Sequence, residues 1–278
     1  MANSIEKQLI PIGRVFYGIA VAVTGALHFI YPGIRPVLAP LPPASTEPYD
    51  MLIYSNAVII VTAGIAIIAG KYVRAAAFLL GTLFLLFLIF GHIPNRIINY
   101  IPELGAWTDP VKLFALAGGA FVISTLYPGS SNNGFVRFLE KIAPSGKYFF
   151  AVMLIVFGID HFIYVDFVSS LVPKWIPGKV FWTYFCGVAL FGAGLSIFIN
   201  FKPQLISWLL ATMLLIWLVT IHIPGSIEYS YKDSGINLTS ACQDLAYCGI
   251  ALLYPYVKKI HAQQSPKPGK PVPEASFT

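Results

Sequence analysis

The sequence has few charged residues for its length. Charged side chains make up 11% of its 278 residues, hydrophobic ones make up 57%, and the mean hydropathy is +0.73. A soluble globular domain carries about 25% charged residues, so this composition excludes an ordinary cytosolic protein. Ten-residue stretches that alternate polar and apolar side chains are also absent, which argues against a membrane β-barrel. The chain is therefore expected to be a helical membrane protein.

Most catalytic and cofactor motifs are absent as well. There is no Gly-rich phosphate loop, Walker motif or nucleophile elbow, and no Cys-x-x-Cys pair. The three cysteines, Cys186, Cys242 and Cys248, all fall in apolar runs, so buried thiols are expected rather than a thiol-redox enzyme. No His-x-x-x-His or Glu-x-x-His pair occurs, so we predict no metal site and disfavour a haem.

Long apolar runs are what the sequence does contain. A bilayer core about 30 Å thick needs roughly 20 mostly apolar residues per spanning helix. Eight such runs can be marked, at about 14–31, 51–69, 73–92, 110–127, 147–165, 180–200, 203–222 and 240–256. The sequence therefore predicts an all-α fold, a polytopic membrane helix bundle with eight transmembrane helices.

The net charge of +6 is distributed unevenly along these runs. Twelve of the eighteen basic residues fall in the two termini and in the loops between runs 2 and 3, 4 and 5, and 6 and 7. The positive-inside rule then predicts that both termini are cytoplasmic. Because this pattern explains the positive charge, the expected surroundings are a lipid bilayer, and no nucleic acid partner is predicted.

The chain repeats itself at a spacing of 130 to 133 residues. The residues that recur in register are histidine, glycine, proline and aromatic residues. The matched pairs include Gly25 with Gly158, His28 with His161, Phe29 with Phe162, His92 with His222 and Pro94 with Pro224. Each copy holds four apolar runs, so the copies share one orientation. The predicted architecture is two parallel four-helix repeats, related by an axis along the membrane normal.

The repeat predicts the organisation of the whole chain. Residues 1–13 form a cytoplasmic N-terminus, 14–127 the first repeat, 128–146 a cytoplasmic linker and 147–256 the second repeat. The linker is rich in Gly, Ser and Asn, which predicts a flexible loop. Residues 257–278 contain four prolines and predict a disordered cytoplasmic tail.

Four of the five histidines occupy matched positions near the ends of odd-numbered helices. They are His28, His92, His161 and His222. In the predicted topology all four lie near the outer membrane face, where they could come close together. Ionisable groups at membrane depth suggest a site, but a histidine in the last helical turn can also bond the terminal carbonyls. The sequence leaves both interpretations open.

Asp160 distinguishes the second copy, because its counterpart in the first copy is Leu27. A carboxylate beside a histidine can hold one tautomer or take part in proton transfer. We therefore predict Asp160, His161 and His28 as candidate catalytic residues. His92 and His222 are predicted to contribute to a ligand site at the same end.

An alternative for Asp160 is a solvated carboxylate, or an ion pair with Arg96 or Lys174. Asp109 and Lys112 are assigned to a helix start or an outer loop, without a role in the site.

These motifs resemble a known family. The second copy combines Gly158, His161 and Phe162 with a loop at 171–178 that reads LVPKWIPG, and the first contains AxxGGA at 115–120. Together they are similar to the DoxX-like family of small bacterial membrane proteins, here in a doubled form. The resemblance implies a four-helix unit in the bacterial cytoplasmic membrane. Its relatives include a subunit of a thiosulfate:quinone oxidoreductase and a maturation protein of methylamine dehydrogenase.

Three functional hypotheses follow, and whether the chain is an enzyme stays open. The first is a redox-associated membrane subunit that holds a quinone, or contacts a redox partner protein, at the outward-facing histidines. The second is a non-catalytic accessory or scaffold protein for a partner enzyme. The third is a small-molecule transporter, which the parallel repeat favours and the absence of paired interrupted helices disfavours. The sequence predicts no oligomeric state.

Overall fold

The part of the chain that the structure describes is almost entirely helical. The structure is a computed structural model, and it describes residues 2–31, 33–40, 49–127, 129, 131–229 and 235–257. No β-strand occurs within these ranges. The prediction of an all-α fold is therefore confirmed.

The helices are numbered here in chain order. Within the described ranges they are α1 (Ala2–Ile30), α2 (Asp50–Ala69), α3 (Val73–Leu86, continued by the π-helical Phe87–His92 and by Ile93–Asn99), α4 (Thr108–Thr125), α5 (Gly134–Ile142), α6 (Gly146–Ile163), α7 (Val165–Leu171), α8 (Lys179–Ile199), α9 (Pro203–Trp217, continued by the π-helical Leu218–His222 and by Ile223–Tyr229) and α10 (Ile236–Leu253). We call α1–α4 the first half and α6–α10 the second half.

Seven helical stretches are long and apolar enough to cross a membrane. They are Gln8–Ile30, Asp50–Ala69, Val73–Asn99, Leu104–Thr125, Gly134–Ile163, Lys179–Ile199 and Pro203–Glu228. This confirms a multi-pass helical membrane protein. The eighth predicted span, α10, is helical but is not among the seven, because Asn237, Gln243 and Asp244 lower its hydropathy.

The helices α4 and α10 pack against each other and are the most buried of the bundle. The polar Gln243 and Asp244 on α10 are 5% and 4% exposed, so they face protein rather than lipid. The first helix of each half packs against the last helix of the other half, α1 on α10 and α6 on α4. Each half also pairs its own helices, α1 with α2, α3 with α4, α6 with α8 and α9 with α10.

Two glycine pairs set the contacts between the halves. A Cβ on Gly13 in α1 would lie 2.8 Å from the carbonyl oxygen of Gly249 in α10. A Cβ on Gly146 in α6 would approach the carbonyl oxygen of Gly118 in α4 more closely still, and the reverse holds for Gly118. Because small residues let helix backbones touch in a bilayer, any larger side chain here would force these helices apart.

The turns that precede α3 and α9 share one backbone conformation. Gly70 and Tyr72 have φ angles of 74° and 54°, and Asn200 and Lys202, 130 residues further on, have φ angles of 55° and 37°. Positive φ is uncommon for residues other than glycine. The same unusual turn therefore occurs twice, at matched positions of the two halves.

A π-helical segment interrupts α3 and another interrupts α9. The first ends at His92 and the second ends at His222. Such segments are rare and short, and they are found frequently at functional sites. Both of these matched histidines thus end the only π-helical segments of the described residues.

Two boundaries predicted from the sequence differ from the structure. The helix α1 already begins at Ala2, since a helix can continue beyond the apolar run that hydropathy detects. The predicted flexible loop at 128–146 contains α5, which the Asn133 side chain caps by accepting from the backbone N–H groups of Phe135 and Val136. The predicted tail, apart from Val257, lies outside the described residues.

Candidate functional site

The five predicted site residues lie at one end of the bundle. We call it the histidine end: there α1 and α6 end, the π-helical segments of α3 and α9 end, and α4 and α10 begin. The five residues form two groups. His28 and His92 form hydrogen bonds with residues 33–40, which follow α1. Asp160 and His222 lie within reach of the charge of Lys112 in α4, and His161 stacks on Trp217 of α9.

His28 uses both ring nitrogens within the protein. Its Nδ1 donates to the carbonyl oxygens of Thr24 and Gly25, at 3.0 and 3.1 Å, and its Nε2 accepts from the backbone N–H of Arg35 at 3.3 Å. The side chain is only 2% exposed. This arrangement favours a structural role, in which His28 fixes the chain just after α1.

His92 holds the same segment from the other side. Its Nε2 donates to the carbonyl oxygen of Val37 at 3.0 Å, and the side chain is fully buried. Its Nδ1 has no hydrogen-bond partner among the described residues. Residues 33–40, which we call the plug, bury Val37 and Leu38 inside the bundle. The histidines of the first half therefore bind the plug.

His161 is arranged differently from His28. Its Nδ1 donates to the carbonyl oxygen of Phe157 at 2.7 Å, which leaves the lone pair on Nε2. No hydrogen-bond partner for Nε2 occurs in the described part of the chain. The ring stacks on Trp217 of α9, with centroids 5.9 Å apart and an interplanar angle of 18°. When its imidazole is neutral, His161 can therefore accept a proton at Nε2.

The Asp160 carboxylate has no hydrogen-bond partner. The residue is 6% exposed, and both carboxylate oxygens are buried and unpaired with respect to the described residues. Within those residues Asp160 makes no ion pair with Arg96 or Lys174; the pairs found are Arg74–Glu140 and Lys112–Asp109. An unpaired buried carboxylate is costly, so it indicates a missing proton or a missing ligand.

Lys112 of α4 is the charged residue that the sequence analysis left out of the site. Its Nζ lies 3.2 Å from Oδ1 of Asp109 and 5.9 Å from the centroid of the Phe157 ring. Its ammonium group is also close enough to Asp160 and His222 to act on both through its charge. Lys112 lies inside the apolar run 110–127, and a lysine in such a run could have indicated a site from the sequence.

We call Asp109, Lys112, Asp160, His161 and His222 the Lys112 cluster. The ring of His222, half-buried, extends this cluster on the side of α9. On the side of α10, Tyr247 donates from its hydroxyl to the carbonyl oxygen of Lys112 at 3.3 Å. The cluster is therefore built from helices of both halves.

The described residues that directly follow His161 are not buried in the bundle as the plug is. The residues that follow His161 form α7, and none of the seven is buried. In the first half the backbone N–H of Arg35, seven residues after His28, donates to the histidine ring. The residue seven positions after His161 is Val168 of α7, and its backbone N–H donates to the carbonyl oxygen of Tyr164 instead. The backbone N–H of Val168 is thus bonded to the residue that precedes α7 and does not bond to Nε2 of His161.

The cluster combines a proton acceptor, a buried carboxyl group and an ammonium donor beside an aromatic ring. Such groups can bind a polar ring and exchange protons with it. Among the residues that the structure describes, no group of three or more His, Cys, Asp or Glu side chains is placed to hold a metal ion. No protein-family model matches the chain, and neither a curated protein nor a solved structure matches it.

Proposed function

We propose that this protein is a quinone-linked membrane subunit whose ligand site is the Lys112 cluster. The observation that carries the proposal is the Asp160 carboxylate, both of whose oxygens are buried without a hydrogen-bond partner among the described residues. It stands next to His161, whose Nδ1 is bonded to Phe157 and whose Nε2 makes no hydrogen bond within the same residues. Buried polar groups are nearly always hydrogen-bonded in proteins. A ligand that supplies donors to both residues accounts for why these atoms have no partner in the protein itself.

A quinol suits these groups better than a charged metabolite does. Its two hydroxyl groups can donate to Nε2 of His161 and to the Asp160 carboxylate, and its ring can lie against Trp217. Oxidation of one quinol releases two protons and two electrons. His161 and Asp160 would take the protons, and a redox partner protein would take the electrons. In the reverse direction, Lys112 can donate to a quinone carbonyl oxygen.

The site also lies beside the lipid. Phe162 and Ile163, which follow His161 directly, are 46% and 56% exposed on the outside of the bundle. In a bilayer these side chains face acyl chains. A lipid-soluble ligand can therefore reach the cluster laterally, without crossing water.

We further propose that the chain is a doubled DoxX-like four-helix unit, with α10 as its eighth span. The two glycine pairs support this, since the repeat spacing matches Gly13 with Gly146 and Gly118 with Gly249, and both pairs are close contacts between α1 or α6 and the last helix of the other half. The repeated turns and π-helical segments support it too. The proposed location is the bacterial cytoplasmic membrane, with both termini in the cytoplasm and the histidine end outside.

The test is a quinone titration of the full-length protein, purified in a mild detergent and followed by tryptophan fluorescence. We expect saturable quenching and an oxidised-minus-reduced difference spectrum of bound quinone. Both His161→Ala and Asp160→Leu should weaken binding at least tenfold, which corresponds to about 1.4 kcal/mol. Trp217→Phe should remove most of the quenching.

Trp208→Phe is the matched control for Trp217→Phe, because Trp208 is in the same helix but 47% exposed. It should leave the quenching by bound quinone nearly unchanged. Quenching that does not saturate, or that is equal in the His161→Ala protein, would contradict the quinone site. A partner enzyme that co-purifies with folded protein lacking quinone would then favour the accessory hypothesis.

A further inference from the structure

An open cavity lies at the opposite end of the bundle, away from the histidines. Its volume is about 620 Å³, and its walls come from α3, from the turn before it, from Tyr127 after α4, and from α5. Pockets for small molecules measure roughly 300–1,000 Å³. The site proposed above uses none of the residues that line this cavity.

The cavity is apolar inside and open to the surface. Phe78 and Leu139 form its buried wall, and Leu79 and Phe135, which are 50% and 58% exposed, stand at its opening. A single buried polar atom without a partner, Oγ1 of Thr82, also belongs to the lining residues. Such a surface accommodates a hydrocarbon chain.

The mouth of the cavity is basic. The charged residues of α5, of the first turn of α3 and of the turn before α3 are Lys71, Arg74, Arg137, Glu140 and Lys141, four cations and one anion. Arg74 lines the cavity and is ion-paired to Glu140, which uses one of its N–H donors, whereas a guanidinium carries five. The remaining donors can bind an anionic group.

A second guanidinium lies behind the same wall. Arg14 of α1 is 6.0 Å from the centroid of the Tyr127 ring, and its Nε is buried with no partner among the described residues. Burial raises the pKa of Tyr127 above its ordinary value, so the phenol stays protonated and can donate to an anion. Tyr127 belongs to the lining together with Arg74, and Arg14 lies next to the Tyr127 ring.

The cover of the cavity, α5, is amphipathic. It buries Leu139 against Phe78, Phe121 and Ala143, while Phe135 and Phe138 are exposed beside Arg137. Exposed aromatic and basic side chains on a short helix are typical of a helix that lies in the membrane interface. This placement puts the mouth of the cavity at the level of the lipid headgroups.

We propose that this cavity binds one anionic phospholipid of the bilayer, with an acyl chain between α3 and α5 and the phosphate at Arg74. The apolar interior fits the chain, and the Arg74 guanidinium in its lining fits a headgroup with net negative charge. A zwitterionic phospholipid has the same tail and phosphate but adds a cation of its own. It should therefore bind more weakly at this mouth.

The test is native mass spectrometry of the full-length protein, with phosphatidylglycerol and phosphatidylcholine of identical chains added in equal amounts. We expect one phosphatidylglycerol retained in preference to phosphatidylcholine by roughly tenfold, about 1.4 kcal/mol. Arg74→Gln should abolish the preference. Glu140→Gln should increase it, since Arg74 is then freed for the phosphate. Equal retention of the two lipids would overturn the proposal.

The opposite signs of these two changes separate lipid binding from folding. If the Arg74–Glu140 ion pair had only a structural role, both substitutions would change the lipid preference in the same direction. That result would contradict the proposed lipid site. Arg137→Gln, on the same helix but outside the lining, is the matched control and should retain the preference. Ala75→Trp should fill the cavity and displace the lipid, whereas Leu86→Trp, exposed elsewhere on α3, should not.

Discussion

The two halves of this protein have similar helices but differ in what surrounds the histidines at the ends of those helices. In each half the first helix has a histidine in its last turn, at His28 and His161. The third candidate membrane span of each half contains a π-helical segment that ends at another histidine, at His92 and His222. In the first half, His28 and His92 bind the plug through its backbone. In the second half none of the residues 165–178 is buried, and both oxygens of Asp160 are buried without a hydrogen-bond partner among the described residues.

This difference suggests that the same helical arrangement stabilises the protein in the first half and provides a ligand site in the second half. In the first half the plug forms a hydrogen bond with each of His28 and His92, so that half is stabilised by its own loop. The second half has polar atoms that the chain does not satisfy, which is a cost to folding. Retaining such a cost is expected where a ligand binds. Substitutions in the two halves, at matched positions where the chain offers them, test this contrast.

The largest effect is expected from giving the first half the carboxylate of the second. Leu27→Asp would replace a side chain that is 1% exposed. The change removes core packing and buries a charge without a partner, so we expect unfolding to become easier by about 4–5 kcal/mol. Reversible unfolding in detergent measures this loss.

The volume-conserving Leu27→Met is the control for that change and should cost less than about 1.5 kcal/mol. If Leu27→Asp were tolerated equally well, the first half would have room or partners for a carboxylate. The proposed contrast between the halves would then be lost.

The next effect compares the two histidines that end the π-helical segments. His92→Ala leaves a cavity and an unpaired carbonyl on Val37, so we expect a loss of about 3 kcal/mol. His222→Ala removes a half-buried ring for which no hydrogen bond is found among the described residues, and about 1 kcal/mol is expected. Thermal unfolding of both variants in one detergent makes the comparison. Equal losses would contradict a plug held by His92.

Much of this fold could be predicted from the sequence, because apolar runs and membrane thickness constrain helices strongly. Seven of the eight marked runs fall on helices that can span a membrane. The short helix α5 was missed because its Gly- and Asn-rich start is typical of a loop. Its capping by Asn133 and the burial of Leu139 become visible only in three dimensions.

The candidate site was predicted in part. The asymmetry between Leu27 and Asp160 is readable from an internal comparison and pointed to the second half. The plug could not be predicted, because the burial of Val37 and Leu38 depends on how the surrounding helices pack in three dimensions. Lys112 was missed for a similar reason: its nearness to Asp160 arises from the packing of α4 on α6, which sequence spacing does not encode.

A third prediction reverses the first. Asp160→Leu gives the second half the residue of the first, and it removes a buried carboxylate that has no hydrogen-bond partner among the described residues. We expect stability to rise by about 1–2 kcal/mol while quinone binding is lost. Unfolding and quinone titration of the same preparation measure both. A loss of stability would instead assign Asp160 a structural role.

The smallest effect concerns the charge that Lys112 contributes to the site. Lys112 pairs directly with Asp109, but that pair is partly exposed, with side chains 23% and 26% accessible, and exposed pairs contribute about 0.2–1 kcal/mol. Asp160 is buried, so its interaction with Lys112 is less screened despite the absence of a direct ion pair. A double-mutant cycle of Lys112→Met and Asp160→Asn should give a coupling of about 1 kcal/mol, against about 0.5 kcal/mol for Lys112→Met with Asp109→Asn. Zero coupling to Asp160 would remove Lys112 from the site and leave His161 and Asp160 to bind the ligand without a neighbouring cation.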